Sequence, residues 1–93
     1  MNYCYVLVSE RAGNFYIGST RDLRQRVKEH DAGRVHSTAY RCPLRLVYYE
    51  ASWSAYDAQR RERYLKSRRG GRYLKQRRTS WLTEIRSGKL ERH

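Results

Sequence analysis

Tyr16-Ile17-Gly18-Ser19-Thr20-Arg21-Asp22-Leu23-Arg24-Gln25-Arg26-Val27-Lys28-Glu29-His30 is the stretch on which the fold turns. It opens as a short strand, turns at Gly18 and starts a helix that Thr20 caps. Asp22 falls in the first turn, where a carboxylate suits the helix dipole. Leu23 and Val27 mark the apolar stripe of this helix, and Gly33 ends it. Arg26 and His30 lie four residues apart beside the stripe and lean toward the core. A helix that needed only to be wetted would carry those two on its opposite face. They mark a site.

Before this stretch, residues 3–9 are aromatic and β-branched enough to form a strand. Tyr3, Tyr5 and Leu7 point one way, and Cys4, Val6 and Val8 the other. Ala12-Gly13-Asn14 reads as a turn and Phe15 to Gly18 as the returning strand, which sets Tyr5 and Tyr16 on neighbouring strands. After it, Arg34 to Pro43 is a polar loop with no readable structure. Leu44 to Ala51 forms a third strand, and Ser52 or Ser54 caps a second helix over 54–68. That helix gathers Ala55, Ala58, Glu62 and Leu65 on one face. Gly70-Gly71 breaks it, and a third helix over 72–87 presents Leu74, Trp81, Leu82 and Ile85 before Gly88 stops it. The order ββαβαα predicts an α+β fold, a small three-stranded mixed or antiparallel sheet flanked by helices. One domain spans 1–87, and 88–93 form a short basic tail.

Ninety-three residues suffice for one modest core. Lys and Arg number 21 against 9 Asp and Glu, a formal charge of +12, which calls for a polyanionic partner. Nine Tyr, two Trp and one Phe make nucleic acid the default, because bases stack on aromatic rings. The absence of an apolar span or signal peptide argues against a membrane. Cys4 and Cys42 form neither a CxxC nor a metal spacing, so they read as reduced thiols of a cytoplasmic protein without zinc.

The charge is concentrated. From Arg60 to Arg78 the cations are Arg60, Arg61, Arg63, Lys66, Arg68, Arg69, Arg72, Lys75, Arg77 and Arg78, with Glu62 as the single acid. Such an excess points to phosphate contact whose affinity falls steeply with salt. Glu62 sits on the apolar side of its helix. It is either bridged to a neighbouring arginine or a ligand for a divalent cation, since Mg²⁺ needs only one or two carboxylates when water and substrate phosphate complete its shell. Arg26 can stabilise charge building on a phosphate, and His30 can relay a proton near neutral pH. Tyr5 or Tyr16 could act as a base only where cations favour the phenolate, and this chain is rich in cations. Tyr48, Tyr49, Tyr56, Tyr64 and Tyr73 read as packing or base-stacking residues. In the loop, His36, Thr38 and Arg41 are candidates for substrate contact.

Taken together, these residues resemble the GIY-YIG nuclease superfamily. The chain looks most like its small stand-alone bacterial members, related to the N-terminal domain of excinuclease UvrC. Tyr16-Ile17-Gly18 is an intact second motif. Tyr3-Cys4-Tyr5 stands where the first would be, with Tyr3-Cys4 in place of its Gly-Ile. Arg26, His30 and Glu62 match the helix arginine, the histidine and the metal-binding glutamate, whereas the asparagine some members carry after the glutamate is missing. The resemblance implies a DNA endonuclease, a phosphodiester hydrolase in which Glu62 holds Mg²⁺ or Mn²⁺. Tyr5 would help activate water, His30 or Tyr16 would share the proton, and Arg26 would stabilise the transition state. Branched, nicked or damaged DNA in repair or recombination is the implied substrate. The expected state is a monomer or weak homo-oligomer, with an accessory targeting protein as a further partner. Two other readings stay open: a non-catalytic nucleic-acid-binding module of the same fold, and a basic structural protein of a nucleoprotein particle.

Overall fold

β1 (Asn2–Ser9) is the middle strand of a three-stranded sheet, antiparallel to β2 (Phe15–Thr20) on one side and β3 (Leu44–Ser52) on the other. The computed structural model describes residues 1–88; of the tail expected over 88–93, all but Gly88 lies outside them. Three helices complete the order: α1 (Leu23–Asp31), α2 (Ala55–Lys66) and α3 (Arg68–Arg86). The fold is therefore the α+β arrangement ββαβαα with a wholly antiparallel sheet.

β1 is buried on both faces from Cys4 to Ser9. Alternation divides it as the sequence implies. Tyr5 and Leu7 join Val27, Leu44 and Leu46 beneath α1, while Cys4 and Val6 join Leu65 and Leu74 beneath α2 and α3. A bulge in β3 serves this division. Leu7 pairs with Leu46 and Val6 with Tyr48, so Val47 is the extra residue and joins Tyr48 against the second cluster.

Two helix boundaries differ from expectation. The strand does not turn at Gly18 but continues to Thr20, because Gly18, Ser19 and Thr20 pair with Tyr5, Cys4 and Tyr3. Thr20 is thus held in the ladder, and the N-cap falls to Asp22, whose carboxylate accepts from the Gln25 N–H at 3.1 Å. At the other end Gly33 does stop α1, with Arg34 N–H reaching back to the Glu29 carbonyl at 2.9 Å.

The second difference is at Gly70-Gly71, which breaks nothing. α2 ends at Ser67, which also caps α3 by accepting from the Gly70 N–H, and both glycines lie inside the 19-residue α3. Gly70 is there for closeness. A Cβ on it would collide with the Tyr64 carbonyl oxygen and stand 2.5 Å from Leu65 Cα, whereas one on Gly71 would meet nothing within 4 Å. That approach of α3 to the end of α2 lets Leu65 and Leu74 bury completely.

The two glycines should therefore respond oppositely to one methyl group. Gly70→Ala is expected to lower stability in urea unfolding by about 1–3 kcal/mol, the cost of overpacking. Gly71→Ala should be neutral or stabilise by up to about 1 kcal/mol through helix propensity.

Candidate active site

Tyr5, Tyr16, Arg26 and His30 come together on the α1 face of the sheet. Tyr5 pairs with Gly18 in the β1–β2 ladder and Leu7 with Tyr16, so both tyrosines project from the same face. Their ring centroids are 6.2 Å apart, and His30 lies 5.9 Å from Tyr5 and 4.6 Å from Tyr16. Tyr5 and His30 are buried, Tyr16 is half-buried and Arg26 stands at the rim with its side chain 37% exposed. Gly18 makes this possible, because a Cβ on it would lie 2.7 Å from the Tyr5 hydroxyl. The phenol rests against bare backbone.

A hydrogen-bonded line runs through the cluster. Tyr5 Oη is 3.1 Å from His30 Nε2, and His30 Nδ1 is 2.8 Å from Thr38 Oγ1. The Thr38 hydroxyl donates to the Val35 carbonyl at 3.4 Å, so it accepts from Nδ1–H, and Nε2 is left to accept the Tyr5 proton. Burial, then the charge of Arg26, pushes the His30 pKa down to about 4, so the ring is neutral at physiological pH. Burial likewise raises Tyr5 to about 12 against the opposing pull of Arg26. The cationic setting read from the composition is real at Arg26, but desolvation outweighs it, and Tyr5 rests as a phenol. Glu29 bonds Arg26 at 3.0 Å and holds its pKa above the ordinary value.

Glu62 approaches from the opposite face. Ser19 follows Gly18 on the edge strand β2 and so points toward α2, where its hydroxyl donates to Glu62 Oε1 at 2.8 Å. Lys66 Nζ donates to Oε2 at 2.7 Å. The partner is a lysine one turn on, not one of the arginines that the sequence offered. Burial pushes the Glu62 pKa up, but Lys66 and Ser19 outweigh it and hold the carboxyl below the usual range. The Tyr5 phenol and the Glu62 carboxylate thus reach successive residues of one free strand edge, Gly18 and Ser19, from its two sides.

Among the described residues no three His, Cys, Asp or Glu side chains converge on one point. Glu62 offers one ionised, half-buried carboxylate. This donor set fits Mg²⁺ or Mn²⁺ completed by water and phosphate oxygens, and it is too small for a cation that needs a full protein cage.

The ten cations between Arg60 and Arg78 divide. Arg61 bonds Glu50 and stacks on Tyr64, and Arg78 donates to the Gly13 carbonyl at 3.2 Å over the Phe15 ring. The other eight are exposed. Lys66, Arg68, Arg72 and Lys75 line one cleft at the α2–α3 corner. In the loop, His36 is exposed, and Arg41 gives its guanidinium to the carbonyls of Phe15 and Ser37. Thr38 is buried and orients His30. Sequence reasoning did not see Ser19 as a partner of Glu62 or Thr38 as a partner of His30, because neither pair shares an element or a spacing.

The family model described as the GIY-YIG catalytic domain matches residues 1–82, a span that holds the edge strand, the Tyr5–His30 pair and Glu62. The chain belongs to the GIY-YIG family, a nuclease superfamily. Among its relatives are bacterial proteins that carry only the name UPF0213 protein. One from Lacticaseibacillus paracasei is 42% identical over 65 residues, covering 69% of this chain and 72% of the relative. Another from Clostridium perfringens is 39% identical over 67 residues, 71% of each chain, and one from Streptococcus pneumoniae is 37% identical over 68 residues, 72% of this chain and 68% of its own. No solved structure matches the chain.

The buried neutral imidazole has a consequence for pH. Its ordinary pKa is near 6.5 and its folded one about 4, so between them the unfolded chain binds the extra proton. The stability His30 supplies by staying neutral should be complete above about pH 6.5 and lost as pH falls toward 4, on the order of 3 kcal/mol in all. Urea midpoints across that range should show the loss, and an NMR titration should find the His30 ring uncharged at pH 5. A ring that titrates near 6.5 would contradict the assignment.

Proposed function

We propose that this domain is a divalent-metal-dependent DNA endonuclease that hydrolyses phosphodiester bonds at the free edge of β2. The observation that carries the reading is the convergence of the Tyr5–His30–Thr38 line and Glu62 on Gly18 and Ser19. Glu62 would hold Mg²⁺ or Mn²⁺, which when bound supplies positive charge against the scissile phosphate. A water that attacks phosphorus gives its proton to the Tyr5 oxygen as Tyr5 passes its own to His30 Nε2, so no free phenolate is needed. Thr38 holds the ring in the tautomer able to accept it. Arg26, at the rim, faces the charge that builds on the phosphoryl oxygens and the departing oxygen. An anion there also offsets part of the Arg26 charge that depresses His30, which makes Nε2 more basic when substrate is bound. Tyr16, tilted against the same ring with centroids 4.6 Å apart, confines it.

The exposed cations extend from this edge. Lys66 both bridges Glu62 and lines the cleft with Arg68, Arg72 and Lys75, while Arg60, Arg63, Arg69 and Arg77 add exposed charge along α2 and α3. A DNA backbone on that surface would release counterions, with affinity falling steeply in salt. No helix among the described residues is long and apolar enough to cross a membrane, and both cysteines are free. The setting proposed for this activity is the cytoplasm, on branched or damaged DNA, with the protein as a monomer or weak oligomer to which an accessory protein could bring the substrate. The second reading, a binding module without catalysis, draws on Lys66, which neutralises Glu62 without any metal.

Cleavage of supercoiled plasmid and of a labelled branched duplex in Mg²⁺, Mn²⁺ or EDTA separates the two. The wild type should cut only with metal. Glu62→Ala should bind DNA within about twofold of wild type yet cut on the order of a hundredfold more slowly or not at all. Tight, salt-sensitive binding by both with cutting by neither would establish the binding module.

A further inference from the structure

Trp53 has no role in the site or the core. It follows β3 and is 88% exposed, the most exposed of the large apolar side chains among the described residues. Its backbone is nonetheless fixed: its carbonyl accepts from Asn2 Nδ2 at 2.9 Å, and Ser54, the next residue, caps α2. A rigid platform therefore holds an indole out in water, which costs solvation and contributes nothing to packing. Three residues on, Tyr56 is 61% exposed and carries the Arg60 guanidinium over its ring, 5.6 Å from the centroid. Two open aromatic rings with a cation beside them are the components of a base-stacking surface.

This platform connects to the strand edge. A groove of about 230 Å³ is lined by Asn2, Ser19, Thr20, Arg21, Ala55 and Gln59. Its lining includes both Ser19, which holds Glu62, and Ala55, two residues from Trp53. Its lining carries a cation and no acid, so a phosphodiester strand suits it.

We infer that Trp53 and Tyr56 stack an unpaired nucleotide of the DNA strand whose phosphate lies at the β2 edge, so that the domain favours single-stranded or tailed DNA over continuous duplex. The inference rests on the nuclease reading for its scissile phosphate but not for the binding it predicts. Duplex bases have their faces covered by their neighbours, and only an unpaired base can offer one to an isolated indole. The charge of the groove and of Arg60 selects a nucleic acid over an apolar peptide as the occupant.

Binding measured in EDTA, where nothing is cut, tests this whether or not the protein is a nuclease. Trp53→Ala should lose on the order of tenfold affinity for a short oligothymidylate and for a duplex with a single-stranded tail, yet bind a blunt duplex within about twofold of wild type. Trp53→Phe should recover most of the loss, and oligothymidylate should quench the part of the emission that Trp53→Phe removes. Equal loss on blunt and tailed DNA would reduce Trp53 to a general contact and overturn the proposal. Unchanged affinity with no quenching would overturn it too, and would leave the indole to a protein partner. Because Trp53 is 88% exposed, a folding defect is not expected, and a circular dichroism melt matching the wild type would confirm that.

Discussion

The hydrogen bond between the Tyr5 phenol and His30 Nε2 ties the sheet to α1, and it exists only because Gly18 has no side chain. Tyr5 is fully enclosed on the central strand, so its hydroxyl must find a partner inside the protein or lose its hydration uncompensated. His30 is that partner, and Thr38 satisfies the other nitrogen in turn. The loop after α1, which has no regular pattern in the sequence, is thus anchored by a buried polar line, with the Cys42 thiol donating to the His30 carbonyl at 3.3 Å as a further tie. The apolar core beneath α1 is built around this same buried polar line.

Electrostatics divides the domain differently. On the α1 face desolvation governs: it keeps Tyr5 protonated and His30 neutral despite the net charge of the chain. It acts on the opposite face too, where the buried Cys4 thiol is pushed up to about 11 and is inert. Toward the surface of α2, paired charges govern: Lys66 keeps Glu62 ionised and Glu50 holds Arg61. The β2 edge lies between a neutral Tyr5–His30 pair and an ionised carboxylate. Neither state would persist in the other's place, since a charged Tyr–His pair would not survive burial and Glu62 keeps its charge through Lys66 and Ser19.

Much of this was legible in residue order. The alternation in β1, the apolar positions of α1 and the stop at Gly33 are local properties of periodicity and backbone freedom, and they appear where the sequence puts them. The cap at Asp22 and the run of α3 through Gly70-Gly71 were not legible. Thr20 is an excellent cap by type but is taken by the ladder with Tyr3, and paired glycines break an isolated helix but not one that needs them to approach another. In both cases a partner distant in sequence decided between two locally acceptable states.

The site follows the same rule. The sequence by itself determined which chemistry was available: two tyrosines on one face of a hairpin, an arginine and histidine one turn apart, and one acid within a basic run. Only the tertiary structure decided that Thr38 orients His30, that Ser19 and Lys66 hold Glu62, and that the phenol and the carboxylate meet one strand edge from opposite sides. Residue type and spacing are written in the chain. The protonation state of Tyr5 and the partners of Glu62 depend on burial and on contacts across 43 positions in the chain, and those exist only once the sheet has closed between its helices.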